Sequence, residues 1–277
     1  MEEEVIQLLQ STQSKEQGVR TAAEHGIRQS YTRPDFPFAL LSVALRGDIA
    51  ENTRQASLLT LRHVVLATWS PKFDEDFQGM VVLDETAKAQ VRQQILAICT
   101  DDGSKELYSR KIRNAASLVA SRIAGVDFPE SWPDILPRLL RTLSGGATDL
   151  SVHGSLRVLT DLVESGFSEE QFFAVAHDLV SGLYNVAAQG ARKSSLRAYA
   201  ISVFRACFDT LEMVMEDQKA AVKAFLEEAL QGWIAFFIEV QRTPLPTTPS
   251  AVEESQEDGP PSEWRGLIAL KLQVIKV

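Results

Sequence analysis

The stretch Val19-Arg20-Thr21-Ala22-Ala23 returns as Ile112-Arg113-Asn114-Ala115-Ala116 and again, more loosely, as Leu196-Arg197-Ala198-Tyr199-Ala200. Successive arginines are 93 and 84 residues apart. Half of each spacing, about 46 and 42 residues, lies in or near the roughly 40–47 residues of a repeat built from two or three helices. A chain that repeats itself in this way folds as a row of similar helical units, each burying its apolar face against its neighbours.

Helical periodicity runs through the sequence, and strand alternation is nearly absent. Val19, Ala22, Ala23, Gly26 and Ile27 fall at i, i+3, i+4, i+7 and i+8, as do Ile112, Ala115, Ala116 and Val119 in their turn, and Leu136, Leu139, Leu140 and Leu143 form a third stripe. The pattern predicts helices over 3–12, 15–31, 35–46, 50–68, 84–100, 105–124, 131–144, 149–164, 168–188, 192–215, 217–241 and 263–277. Start and stop signals punctuate them: Pro34, Gly47-Asp48, Ser70-Pro71, Asp101-Asp102-Gly103, Gly145-Gly146, Gly166 and Gly190. Phe36-Pro37 and Trp132-Pro133 each follow one of the repeated helices and open the next. Proline in the first helical turn gives up no intrahelical donor, and the aromatic before it packs on the neighbouring helix. The fold class expected is all-α: a right-handed superhelical solenoid of HEAT repeats made of antiparallel helix pairs. Such an array offers a long surface for gripping another macromolecule and no evident catalytic crevice.

Composition narrows the possibilities further. Of 277 residues, 45% are hydrophobic, enough for a sizeable core, yet no run approaches the roughly 18 apolar residues of a membrane span. MEEEVIQLLQ has neither the basic start nor the cleavage site of a secretory signal. Two cysteines, Cys99 and Cys207, make no disulfide framework or thiolate cluster, which favours a reducing compartment. A net charge of −9 argues against direct nucleic-acid binding and is compatible with a basic protein partner.

The chain carries no pattern that points to catalysis. His25, His63, His153 and His177 sit on separate expected helices with no metal-ligand spacing. Cys99 and Cys207 lie in apolar helical contexts as small core residues, and Met213 and Met215 fill core near a helix end. There is no GxGxxG, GxxxxGK[ST] or GxSxG, and Gly145-Gly146 is a helix stop. Basic and aromatic residues do not alternate as a single-strand platform requires. No enzyme, cofactor or metal site is expected.

Arg54-Gln55-Ala56, the apolar run to Leu61, then Arg62-His63 and the later Trp69 resemble the importin-β N-terminal motif, over roughly 22–100. That motif reads R-Q-A, four mostly apolar positions, L-K-N, then an aromatic, so Arg62 stands where lysine is usual and His63 where asparagine is usual. Ala23-Glu24, the Pro34–Leu41 segment and Asp127-Phe128-Pro129-Glu130-Ser131-Trp132-Pro133 also look like the family. Val152–Thr160 resembles the importin subgroup whose cargoes include core histones and the TATA-binding protein. The resemblance implies a nuclear transport receptor that binds Ran-GTP through its N-terminal repeats. It also implies contacts with nucleoporin phenylalanine-glycine repeats and basic protein cargo, and shuttling between cytoplasm and nucleus. Full members are several times longer, and GLIALKLQVIKV ends apolar without a polar capping face. The expectation is therefore an N-terminal fragment with a frayed last helix. The alternative is a HEAT scaffold without Ran-dependent exchange.

In that frame residues 1–241 are about five helix pairs, 242–262 an acidic, proline-rich flexible loop, and 263–277 the first helix of a further repeat. Taking the first helix of each pair as convex makes 35–46, 84–100, 131–144, 168–188 and 217–241 line the groove. The solvent-facing candidates for Ran or partner contact there are Arg46, Asp48, Lys88, Arg92, Gln93, Glu130, Asp134, Arg138 and Arg141. Arg62 and His63 carry the family motif. Glu253, Glu254, Glu257 and Asp258 in the loop are candidates for capturing basic cargo, against the plainer reading of a tolerated insertion.

Overall fold

The computed structural model describes residues 1–102, 107–165, 167–214, 219–245 and 263–277, and among them there is no strand. The chain divides into two compact units, Met1–Ile135 and Leu136–Val277. Gly103, Gly166, Met215 and the loop residues 246–262 lie outside the described residues, and the side chain of Met213 is likewise not described.

Unit 1 contains α1 (Glu2–Ser11), α2 (Gln17–Gln29), α3 (Phe36–Leu45), α4 (Glu51–Thr68), α5 (Glu85–Thr100) and α6 (Arg110–Asp127), with short 3-10 turns at Ser30–Thr32 and Pro71–Asp76. The boundaries fall within a few residues of the sequence expectation because the caps are local. Asp84 Oδ1 accepts from Ala87 N at 2.8 Å to open α5, Ser109 Oγ accepts from Ile112 N at 3.4 Å to open α6, and Pro37 sits in the first turn of α3. The pairing is shifted by one helix from the expected register. α1 packs on α2, α3 on α4 and α5 on α6, while α3 also touches α5 and α4 lies along α6. The turn at Phe36-Pro37 therefore joins successive pairs instead of closing one. The α2 stripe is narrower than its periodicity suggests. Ala23 and Ile27 are buried, but Val19 is 39% exposed and Ala22 is exposed, because α2 at the start of the row meets few helices. By contrast Ile112, Ala115, Ala116 and Val119 of α6 are all buried.

Unit 2 contains α7 (Ile135–Leu143), α8 (Asp149–Ser165), α9 (Glu169–Ala188), α10 (Ser194–Val214), α11 (Lys219–Arg242) and α12 (Glu263–Lys276). Leu136, Leu139 and Leu143 bury one face of α7, which stops at Gly145 and Gly146, whose φ values of 119° and 85° place them where L side chains are strained. A capping box opens α9: Ser168 Oγ accepts from Gln171 N at 3.3 Å and Gln171 Oε1 from Ser168 N at 2.9 Å. α10 is the hub, packing on α8, α9 and α12, and α11 packs on α9 and α12.

Candidate partner-binding surfaces

The repeated arginines are structural, and their position explains why. Arg20, Arg54, Arg113 and Arg197 each stand fourth in their helix. From there a guanidinium reaches back to the carbonyls left unsatisfied around the end of the preceding helix. Arg54 Nε donates to Ala44 O at 2.8 Å and Nη2 to Leu107 O. Arg113 bonds Tyr108 O at 2.9 Å, Ile98 O at 3.1 Å and Cys99 O at 3.2 Å. Arg197 Nε donates to Ala187 O at 2.6 Å, and Arg20 bonds Ser14 O and Lys15 O at 2.8 and 2.9 Å. Burial lowers the pKa of Arg54, Arg113 and Arg197 from the usual value, a cost that several charge-assisted bonds offset. The Arg-Gln-Ala motif is thus a helix-joining device, and Arg54 does not face a partner.

Lys88 and Arg92 correct the sequence expectation. The sequence pattern sets both on a solvent-facing side, yet their residues are 8% and 6% exposed. One turn apart on α5, they turn toward the end of α6. Arg92 Nη1 meets Asp127 Oδ2 at 2.7 Å, Trp69 Nε1 donates to both Asp127 oxygens at 3.1 and 3.0 Å, and Lys88 Nζ lies 5.5 Å from the Trp69 ring centre. Glu85 closes the network on Lys88 at 3.0 Å and Arg92 at 3.4 Å. Burial pushes the Asp127 carboxyl above its ordinary value despite Arg92 beside it, whereas the hydrogen bond from Lys88 holds Glu85 below its own. A signal was available in the sequence: a carboxylate at a helix C-terminus opposes the helix dipole, so Asp127 at the head of the Asp-Phe-Pro-Glu-Ser-Trp-Pro motif needed a buried cation.

The remaining described candidates are exposed or half-buried. Arg46 is bound on its own unit, to Asp48 at 2.6 Å, Glu3 at 3.4 Å and Glu2 at 3.7 Å. The hydrogen bond to Asp48 raises the Arg46 pKa and lowers that of Asp48. Gln93, Glu130 and Asp134 in unit 1 are exposed, as are Arg138 and Arg141 in unit 2. Arg62 is half-buried with its Nε unpaired. His63 is exposed, and burial of its ring together with Arg62 lowers its pKa against the pull of Asp76. Glu253, Glu254, Glu257 and Asp258 lie outside the described residues.

Two hollows were not anticipated. In unit 1 a cleft of about 530 Å³ opens between α2 and α4, lined by Ile27, Arg28, Tyr31, His63, Leu66 and Asp76 among others. In unit 2 a pocket of about 230 Å³ lies between α9 and α11, walled by Val180, Ser181, Tyr184, Phe225, Gly232 and Trp233 beside His177. The signal for it is Gly232 inside a helix: a Cβ there would stand 3.4 Å from the Tyr184 ring. Among the described residues no three His, Cys, Asp or Glu side chains gather to hold a metal, and no helix is long and apolar enough to cross a membrane. Cys99 and Cys207 are buried, with burial pushing the Cys99 thiol up to about 12, which makes both core residues.

Residues 23–101 match the family model described as the importin-beta N-terminal domain. Importin subunit beta-5 of Schizosaccharomyces pombe is 33% identical over 240 residues, covering 86% of this chain and 23% of that protein. The chain thus spans about a quarter of that relative's length. Among solved structures, one described as "Kap95:Nup1 complex" superposes with a TM-score of 0.65 at 15% identity, over 99% of this chain and 34% of the other. Another, in which Kap95p binding is described as inducing the switch loops of RanGDP to adopt the GTP-bound conformation, gives 0.62 at 18%, over 87% and 28%. At such identities the likeness shows the fold, the helix-pair array of HEAT repeats.

Proposed function

The chain belongs to the importin-β family, and from that premise we propose that it works as a nuclear transport receptor whose unit 1 binds Ran-GTP and whose unit 2 seats nucleoporin phenylalanine side chains. The observation that carries the reading is that the importin-beta N-terminal domain match, 23–101, spans α2 to α5 and so contains the α2–α4 cleft. That cleft offers apolar floor and both signs of charge, as a protein partner's surface requires. Within the reading, His63, Gln93, Glu130 and Asp134 in unit 1 and Arg138 and Arg141 in unit 2 are contact residues. Lys88 and Arg92 are supports.

The α9–α11 pocket supports the nucleoporin part. About 150 Å³ of apolar cavity holds a benzene ring, and this pocket, with Tyr184, Phe225 and Trp233 in its walls, is larger at about 230 Å³. Cargo in this reading is basic protein, such as histones or the TATA-binding protein. Its support is the net charge of −9 and the acidic Glu253, Glu254, Glu257 and Asp258. The protein then shuttles between cytoplasm and nucleus.

Titration calorimetry against Ran loaded with a non-hydrolysable GTP analogue, with GDP-Ran as control, tests the first part. Saturable binding to the GTP form alone is expected, and equal binding to both forms would favour a HEAT scaffold without nucleotide-dependent exchange. For the second part, Ser181→Trp, made on an exposed position at the pocket, is expected to abolish binding of a phenylalanine-glycine peptide and leave Ran binding unchanged.

A further inference from the structure

The joint between α11 and α12 departs from a device shared by three other pairs. In the pairs α3/α4, α5/α6 and α9/α10, an arginine at the fourth position of the second helix, buried in the first two pairs and half-buried in the third, ties down the end of the first. The fourth residue of α12 is Gly266, where a Cβ would press on Ser195 N at 3.0 Å, so close approach of α10 leaves no room for a long side chain. The carbonyls at the end of α11 are held instead by an ammonium from the middle of α12. Lys271 Nζ donates to Val240 O at 2.9 Å and Gln241 O at 2.8 Å, and Gln241 Nε2 donates back to Lys271 O at 3.0 Å. Lysine is a point charge on a flexible stem, which can transfer to a better acceptor where a forked, buried guanidinium cannot.

A residue able to become that acceptor stands next to it. Thr243 is exposed and lies just beyond the last residue of α11, and Pro244 follows it. Its amide shares Val240 O with the Lys271 ammonium, at 3.3 Å, and its hydroxyl donates to Glu239 O at 3.0 Å. Arg242 precedes it, also exposed. We propose that Thr243 is a phosphorylation site for a proline-directed protein kinase, and that its phosphate draws Lys271 off the α11 carbonyls and loosens the α11–α12 joint. In the transfer the Thr243 oxygen bonds to the γ-phosphorus of ATP while the β–γ anhydride bond breaks. ADP leaves with that bond's electron pair, and the hydroxyl proton passes to the kinase's base. The substrate strand forms by fraying of the last turn, the least costly part of a helix to open.

The outcome follows from charge. The phosphate carries about −1.5 to −2 charges and three strong acceptors. At a helix C-terminus it opposes the dipole, and Glu239 one turn back repels it, so its favourable partners are Arg242 and Lys271. Whichever oxygen takes the ammonium, Gln241 O loses the Lys271 donor and Val240 O keeps only the longer bond from the Thr243 amide, and the last turn of α11 frays.

The test treats the whole chain with a proline-directed kinase and ATP, beside Thr243→Val and Thr248→Val variants, because Thr248-Pro249 offers a second target of the same type. Peptide mass spectrometry should find phosphate on Thr243 in the parent and in Thr248→Val. Hydrogen exchange in the last turn of α11 should accelerate several-fold on phosphorylation, and Lys271→Met should reproduce that rate with no kinase. Phosphate confined to Thr248, or phosphate on Thr243 with exchange unchanged, overturns the proposal.

Discussion

The two units use the same helix-pair plan and hold it together with different chemistry. In Met1–Ile135 the joints are polar: Arg54 and Arg113 on carbonyls, and Arg92, Lys88 and Glu85 around Asp127 and Trp69. In Leu136–Val277 such polar ties persist, Arg197 on Ala187 O and Lys271 on Val240 O and Gln241 O, but an aromatic cluster fills the space between the helices. Trp233 stacks on Phe204 with centroids 3.8 Å apart and planes 12° apart, and Tyr184, Phe236 and Phe237 stand edge-on or tilted around it. The difference teaches that a repeat needs a filled, satisfied joint and does not prescribe which residues fill it. Ring stacking is tolerant of solution conditions, whereas buried charge depends on partners and pH.

The largest blow to this contrast is Trp233→Ala, expected to cost about 3–5 kcal/mol by opening a cavity at the centre of the rings. Hydrogen exchange followed by segment should show the loss in unit 2 and leave α1 to α6 protected. Asp127→Ala comes next. It strands the Arg92 guanidinium, and a loss of about 3 kcal/mol is expected, at the low end for a broken buried pair because Glu85 still reaches Arg92. Urea unfolding followed by Trp69 and Trp132 emission reads it, and a change below the error of extrapolation would mean that the network carries nothing.

Arg113→Met should remove about 2 kcal/mol by leaving buried carbonyls without donors, seen as faster exchange at the end of α5. A methionine that left exchange unaltered would refute the capping role. A smaller effect concerns pH. Because the folded-state pKa of Asp127 is raised, the native state holds its proton more tightly than the unfolded chain. Its contribution is therefore fully present below the ordinary value of 3.8 and is lost as pH rises through the shifted value. The parent should accordingly gain stability relative to Asp127→Asn on acidification, the reverse of an ordinary exposed salt bridge, in paired denaturation curves at neutral pH and near pH 4. Smallest of all, Arg46→Ala should leave the unfolding midpoint unchanged, since its partners Glu2, Glu3 and Asp48 are exposed.

Much of this was legible in the chain. Helix limits such as Glu51–Thr68 and Glu169–Ala188 came within a residue because caps and turn residues act over three or four positions. The recurrence of Arg20, Arg113 and Arg197 was visible as a pattern, though its purpose was not, since the bonded carbonyls belong to the helix before or to the turn that follows it. The pocket between α9 and α11 went unseen because Ser181 and Trp233 lie on helices whose facing sides no single periodicity reveals.

What the sequence by itself determined is the all-α class, the order of the helices and the repeat, because these follow from apolar spacing and from contacts within a turn or two. Only the tertiary structure decided which helix pairs with which, and that Lys88 and Arg92 turn inward. Asp127 lies 35 residues beyond Arg92, and the side a charged residue faces depends on whether a partner across the joint offsets its desolvation, which no local pattern encodes.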